Sequence, residues 1–321
     1  MPSVDVIIPC YNYAHYLPQC VDSVLSQDVS EVRIVIIDNA STDNSVEVAR
    51  HLAESDPRIE LVCHPENLGP HASFNEGIDL ARADYFLILC ADDLMQAGSL
   101  KRGIETLEQN PGAIFVVGAS APWAGQMPPE PTEQPEGWDV QSGLDYIERC
   151  CQAIGKNPGV HAILVRTSAQ KAAGHYRASL KHMDDLEMAL RLGCMGSVVC
   201  LHAALAIQRT HAANLSNVLW EDRLKDLREQ QAAFDSFFRR EGRNIPRSFE
   251  LHRVATRRTA ETAFWSAASH IYRGKTAVGL GLFKYSLSLR PSLALIPPVS
   301  HLFRTNGALK RVAELLSAGI R

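Results

Sequence analysis

Long apolar runs are missing from this 321-residue chain. A membrane-spanning helix needs about 18 or more consecutive apolar residues, and no window supplies them, so no span is expected. CxxC pairs are missing as well. The eight cysteines, Cys10, Cys20, Cys63, Cys90, Cys150, Cys151, Cys194 and Cys200, sit mostly in apolar runs. They read as reduced core residues of a cytosolic protein, not as a zinc site or a disulfide framework. The opening MPSVDVIIPCYNY has no basic stretch, so it reads as a buried first strand and not as a signal peptide. No glycine occurs in residues 9–15, where that strand turns. A dinucleotide-dependent oxidoreductase requires a GxGxxG cradle there, and a sugar nucleotidyltransferase a comparable glycine-rich loop, so neither class fits. Coiled-coil, collagen and internal repeats are absent too.

Apolar residues make up 46% of the chain and charged residues 21%. That is enough for a large core, and the length suits one large domain with a smaller appendage. The net charge of -4 conceals an asymmetry. Residues 1–220 hold 14 Lys and Arg against 27 Asp and Glu, whereas residues 221–321 hold 18 against 9. An acidic front and a basic tail suggest two units with different partners.

Short runs apolar on both faces occur at 4–9, 32–38, 59–63, 85–90 and 114–118, with amphipathic stretches at 17–25, 45–52, 72–81 and 100–107 between them. Strand and helix signals in alternation indicate a parallel sheet covered on both sides. Residues 121–138 contain five prolines and read as a surface loop. Helical signals resume at 141–153. Strand signals follow at 161–166 and 197–202, with a helix around 184–194 between them. Beyond 218 only helices are expected, at 220–240, 249–272, 275–289 and 306–318.

In parallel α/β sheets ligands bind beyond the strand ends, and here those ends are polar. The first strand runs into Pro9, Cys10, Tyr11 and Asn12, and the second ends in Asp38-Asn39-Ala40-Ser41-Thr42-Asp43. Ser41 and Thr42 could serve as turn and cap residues. A carboxylate such as Asp38 at the end of a buried strand needs donors, which a base or ribose supplies. Tyr11 could be a core aromatic or stack on a nucleobase. Adjacent Asp92 and Asp93 repel unless a cation or donors offset their charge; a hard divalent metal would do so, and so would capping of a following helix. Asp184 and Asp185 open a helix, where the dipole favours acids, yet Asp185 could also face a cleft as a base. Glu187 is expected to pair on the surface with Arg191, at i+4. His211 fits either a solvated loop or a metal or phosphate ligand.

Six of these pieces, VIIPCYN, IIDNASTDNS, Asn67-Leu68-Gly69 with Asn75, CADD, DDLEMALRL and RTHAANLS, come in an order and spacing that resembles the inverting glycosyltransferases of family 2. The match covers about residues 3–217. The resemblance implies the GT-A fold, an α/β Rossmann-like, mostly parallel central sheet with helices on both faces, over residues 1–218, followed by a helical C-terminal region over 219–321. It implies that Pro9, Tyr11, Asn12 and Asp38 line a uridine-type base pocket, with Asp38 accepting the base imide N–H. Asn67 and Gly69 would approach the ribose or diphosphate, and Asp92 the ribose or sugar. Asp93 and His211 would hold a divalent metal, Mn²⁺ or Mg²⁺. Asp185 would be the catalytic base, with Asp184 beside it at the donor. Two departures stand out: Cys90 occupies the place where the metal motif often begins with Asp, and Asp184 the place where the acidic pair often begins with Glu.

The implied reaction transfers a sugar from a nucleotide-sugar donor, a UDP-sugar by family habit, to a hydroxyl of a glycan, lipid-linked or protein acceptor, as in bacterial polysaccharide or glycoconjugate synthesis. A second reading, prompted by Cys90, is a nucleotide-sugar-binding or scaffold protein that keeps the fold without the chemistry. In the tail, Arg239, Arg240, Arg243, Arg247, Arg253, Arg257 and Arg258 crowd one region, followed by the apolar stretch 293–299. A peripheral contact with an anionic membrane is expected there; a lid on the acidic front or a homo-oligomer contact is the alternative. No nucleic-acid motif supports nucleic acid as a partner.

Overall fold

The computed structural model describes residues 2–125, 134–154, 159–212, 214 and 222–301. The helix expected at 306–318 and the end of the RTHAANLS run lie outside the described residues. Strands β1 (Ser3–Cys10), β2 (Glu31–Asp38), β3 (Ile59–Cys63) and β4 (Tyr85–Ile88) alternate with helices α1 (Leu17–Leu25), α2 (Ser45–Ser55) and α3 (Pro70–Leu80). The four strands are parallel, with Cys10 level with Asp38 and Asp38 with Cys63. Their polar ends therefore emerge at one edge. After β4 come β5 (Leu94–Met95), α4 (Ser99–Gln109), β6 (Ala113–Trp123), β7 (Trp138–Gln141), α5 (Gly143–Gln152), β8 (Ile163–Arg166), α6 (Thr167–Ala173), α7 (Asp184–Gly193) and β9 (Ser197–Arg209). The sheet order is β3-β2-β1-β4-β8-β6-β9-β5, with β7 paired to β9. β8 runs antiparallel to both β4 and β6, and β6 runs parallel to β9. The expected sheet of mostly parallel character with helices on both faces is present.

Continuous burial explains the uniformly apolar strands. One face packs Val6, Ile8, Ile34 and Leu87 against α1 and α4, and the other packs Ile7, Val35, Phe86 and Phe115 beneath α3, α5 and α7. The exception inside β1 is Asp5. It is fully buried, but Arg33 binds it at 2.8 and 2.9 Å and the backbone N–H groups of Arg82 and Ala83 add two more donors. These donors hold its carboxyl below the usual range against the desolvation that would raise it. Gly143 lets α5 lie on α7: a Cβ there would collide with the Gly193 carbonyl.

Helices α8 (Arg223–Arg239), α9 (Ser248–Tyr272) and α10 (Thr276–Leu289) complete the described chain. Phe234, Phe237 and Phe238 of α8 and Leu251 and Ala255 of α9 join the core beneath α7. This packing corrects the surface placement of Glu187 and Arg191. The ion pair forms, at 2.9 Å, but its side chains are 0% and 4% exposed. Helices from far along the chain cover a face that looks solvent-directed in local sequence. Arg177 also pairs with Glu187, and the Arg191 guanidinium bonds the Ala173 and His175 carbonyls.

Other local expectations shift as well. The proline-containing segment is not loop throughout, because β6 continues to Trp123 and β7 opens at Trp138. Asp92 and Asp93 do not cap a helix, since α4 starts at Ser99 with Gly98 before it. Cys63 and Cys194 are exposed, and only Cys10, Cys20, Cys150 and Cys151 are core thiols.

Candidate active site

A cavity of about 410 Å³ opens over the ends of β1, β2 and β4. Its walls come from several chain segments, among them Gly159, Val160 and His161, with Gln208 and Asn214. β1 contributes Pro9, Cys10 and Tyr11; β2 leads into Asn39; and the turn before α3 brings Asn67, Pro70 and His71. β4 runs into Cys90, Asp92 and Asp93, and the start of α7 supplies Lys181, His182, Asp184 and Asp185. Asp93 and Asp185, distant in sequence, thus line one cavity.

Four of the singled-out residues stand behind its wall. Asn12 has φ +60°, and its side-chain oxygen accepts the N–H groups of Thr42 at 2.7 Å and Asp43 at 3.3 Å, tying the first strand's turn to the second's. Asp38 accepts the Ser41 N–H at 2.9 Å through Oδ2, while its buried Oδ1 has no hydrogen-bond partner. Gly69 has φ +82°, a region costly for a side chain, and it introduces α3 while donating to Asn67 Oδ1. Asn67 Oδ1 also receives the Asn39 amide at 3.0 Å. His211 reaches the acidic pair through Asp92.

That acidic pair is held from several directions. Asp93 Oδ1 accepts the Arg209 backbone N–H at 3.0 Å, and Oδ2 lies 3.1 Å from His161 Nδ1. The other ring nitrogen of His161 meets Ser120 Oγ at 2.6 Å. Asp92 Oδ2 meets His211 Nε2 at 3.0 Å and the Asn214 amide at 3.2 Å. Burial, and then the charge of Asp93, push the Asp92 carboxyl above its ordinary range, with His211 opposing. Burial disfavours charge on His161, but Asp93, with Asp185 and Asp92 beyond it, outweighs this and raises its pKa.

Arg209 packs the site from behind. It is 1% exposed, sandwiched between the rings of Tyr16 and Trp123 at 4.3 and 4.6 Å. Its guanidinium bonds the Asp92 backbone carbonyl at 2.9 Å and Gln19 at 2.7 Å, leaving both carboxylates to other partners. On the opposite wall His71 Nε2 lies 3.4 Å from Asp184 Oδ2. Asp185 Oδ1 accepts the Leu186 N–H at 2.7 Å at the start of α7.

Cys90 Sγ and one carboxylate oxygen each of Asp92 and Asp93 lie within 4.8 Å of one another. Two carboxylates and a thiol, with one carboxyl already resisting ionisation, suit a divalent cation, so the residues present fit the expected metal.

His71, His161 and Arg209 were not assigned roles from the sequence. His161 lies inside an apolar strand signal and His71 inside a helix signal, and a single histidine in either setting carries no spacing to interpret. Arg209 sits in the RTH run, but nothing local shows that its side chain would fold back under the acidic pair.

The sheet order, with a ligand-sized cleft at the parallel strand ends and an acidic pair on its floor, is that of the GT-A fold. Structures of S. aureus TarS, residues 1–349 in complex with UDP, and of the Pyrobaculum calidifontis mannosyltransferase PcManGT in complex with GDP-Man and Mn²⁺ superpose with TM-scores of 0.62 and 0.61. Identities are 15% and 17%; the overlaps take in 94% and 99% of this chain and 87% and 86% of theirs. At such identity the likeness concerns the fold. Residues 5–128 match the family model described as glycosyl transferase family 2. A Haemophilus influenzae protein described as an uncharacterized glycosyltransferase is 34% identical over 110 residues, which are 34% of this chain and 44% of that protein. The uncharacterized glycosyltransferase EpsJ of Bacillus subtilis is 34% identical over a stretch of the same length, 32% of that protein. The chain therefore spans less than half the length of these curated relatives.

Proposed function

We propose that the chain is a metal-dependent inverting glycosyltransferase that moves a sugar from a nucleotide-diphosphate sugar to an acceptor hydroxyl, in polysaccharide or glycoconjugate synthesis. The observation that carries this reading is the convergence of Asp92-Asp93 and Asp184-Asp185 on one cavity. The nucleotide would lie along the ends of β1 and β2, with Tyr11, 41% exposed and lining the cavity, free to stack on the base. Pro9, Asn12, Asn67 and Gly69 would shape this side. Asp38, whose buried Oδ1 has no hydrogen-bond partner behind the wall at Asn39, would be the acceptor for the base imide N–H of a uridine donor. Asp92 and Asp184 would face the ribose and the transferred sugar.

Asp93 and His211, with Asp92 between them, would hold Mn²⁺ or Mg²⁺, which when bound would neutralise charge on the departing diphosphate. Asp185 would take the proton of the acceptor hydroxyl as that oxygen forms its bond to the anomeric carbon. The bond from that carbon to the diphosphate oxygen breaks on the opposite face, so configuration inverts and the nucleoside diphosphate leaves. The acceptor would be a glycan, a lipid-linked molecule or a protein.

The experiment offers the protein UDP- and GDP-sugars with Mn²⁺ and reads nucleotide release and the anomeric configuration of the product by NMR. Inversion is the expected result. Retention would overturn the inverting mechanism, and binding without turnover across donors and acceptors would favour the reading in which the fold binds nucleotide sugar without chemistry.

The C-terminal region 219–321, whose described part is helical between Arg223 and Leu289, would serve as a peripheral contact for an anionic, cytoplasmic-side membrane. Leu295 and Ile296 are 86% and 72% exposed beyond α10, and the region is basic. Among the described residues no helix is long and apolar enough to cross a membrane.

A further inference from the structure

Cys90 sits where a third ligand of the acidic pair would be expected, and its chemistry differs from a carboxylate's. It lies two residues past the end of β4 and lines the cavity, half-buried, whereas its neighbour Cys20 is a core thiol whose Sγ points to the Cys90 carbonyl at 3.5 Å. Its sulfur and one oxygen from each of Asp92 and Asp93 lie within 4.8 Å of one another. Around the pair, Asp93 Oδ1 is taken by the Arg209 N–H, Asp93 Oδ2 faces His161 Nδ1 at 3.1 Å, and Asp92 Oδ2 is taken by His211 and Asn214. A cation drawn to these carboxylates at the cavity floor therefore has a sulfur donor within reach alongside them.

We propose that Cys90 is a thiolate ligand of the divalent cation held with Asp92 and Asp93, and that it turns this site toward thiophilic cations and away from Mg²⁺. The proposal rests on the metal site of the proposed function and goes beyond it in assigning the sulfur. Mg²⁺ demands a near-ideal octahedron of oxygen ligands and keeps much of its water. A thiolate is a soft ligand that suits Zn²⁺, Cd²⁺ and Co²⁺ far better. Aspartate at position 90 would instead complete an all-carboxylate set.

The test titrates Co²⁺ into the full chain, with and without UDP or GDP, and records both binding and the near-ultraviolet band of thiolate-to-cobalt charge transfer. The expected result is a band that saturates with the bound cation and is lost in Cys90→Ser. In Cys90→Asp the preference for Cd²⁺ over Mg²⁺ should fall at least about tenfold, since losing even an outer-shell partner of a metal costs about 10–100-fold. Protection of Cys90 from alkylation by Cd²⁺, read by peptide mass spectrometry on the unsubstituted protein, supplies the same answer if a variant fails to fold. Co²⁺ bound without a band, a band that survives Cys90→Ser, or alkylation of Cys90 unaffected by bound Cd²⁺ would overturn the sulfur assignment and leave the metal site standing. Absence of any cation binding, nucleotide present, would remove both.

Discussion

Glu187 and Asp93 are both buried, at 0% and 4% exposure, yet their charges are met by different means. Beneath α8 and α9, Glu187 is clamped between Arg177 and Arg191, and Glu261 likewise receives Arg258 at 3.0 Å and Arg290 at 3.3 Å. In the cavity, Asp92, Asp93 and Asp184 face His211, His161 and His71. A guanidinium is charged at every working pH and fills a carboxylate's acceptor positions with its fork of donors. An imidazole supplies at most one full charge, and loses it as pH rises past neutral. The helical interface is thus electrostatically closed, whereas the cavity keeps carboxylates whose charge a cation or substrate can complete. Removing an acid from the first region should cost stability; removing one from the second should cost function.

The largest expected effect belongs to the cavity. Asp185→Asn should lower turnover by about 10²–10⁴-fold, the usual contribution of a general base, while donor binding by titration calorimetry stays within a few-fold of the parent. Near-normal turnover would take Asp185 out of the base role. In the closed region, Arg191→Met leaves Glu187 with one guanidinium fewer, and breaking a buried pair costs about 3–5 kcal/mol. Urea unfolding should show a loss of that order, and a loss below about 1 kcal/mol would erase the distinction between the two regions.

The His71–Asp184 pair should also mark the cavity by its pH dependence. Close pairing with the Asp184 carboxylate, at 3.4 Å, raises the pKa of His71 above 6.5, outweighing burial. The stability it contributes is therefore complete below pH 6.5 and is lost as pH rises through the elevated value. Each such group changes stability by at most about 1.4 kcal/mol per pH unit. Melting temperature followed across that window should fall less steeply in His71→Gln than in the parent; identical slopes would mean that the pair carries no linkage. The smallest effect is expected at the apolar surface beyond α10. Leu295→Asp with Ile296→Asp should change stability by no more than about 0.5 kcal/mol, yet reduce co-sedimentation with anionic liposomes at low salt. Unchanged sedimentation, or none in the parent, would remove the membrane contact.

Much of the fold was legible because its cause is local. Strands such as 32–38 are apolar on both faces, and α1 falls on its amphipathic stretch at 17–25. The motif residues at the strand ends were legible too, since Asp38, Asp92 and Asp93 have no apolar role in such positions. What escaped notice depends on distant neighbours. The direction of β8, the burial of the Glu187–Arg191 pair under α8 and α9, and the short helix α6 are decided by chain segments that no local window contains.

Residue order by itself determined where strands and helices form, because hydrophobic periodicity and turn chemistry act over a few residues. It also set which carboxylates arrive at the parallel strand ends. Only the tertiary structure decided which partner each buried charge receives: His161 with Ser120 behind it for Asp93, His71 for Asp184, two arginines for Glu187. The reason is that desolvation makes the state of a buried carboxylate depend on whatever donors packing brings within about 3 Å of it, and those donors come from parts of the chain far away in sequence.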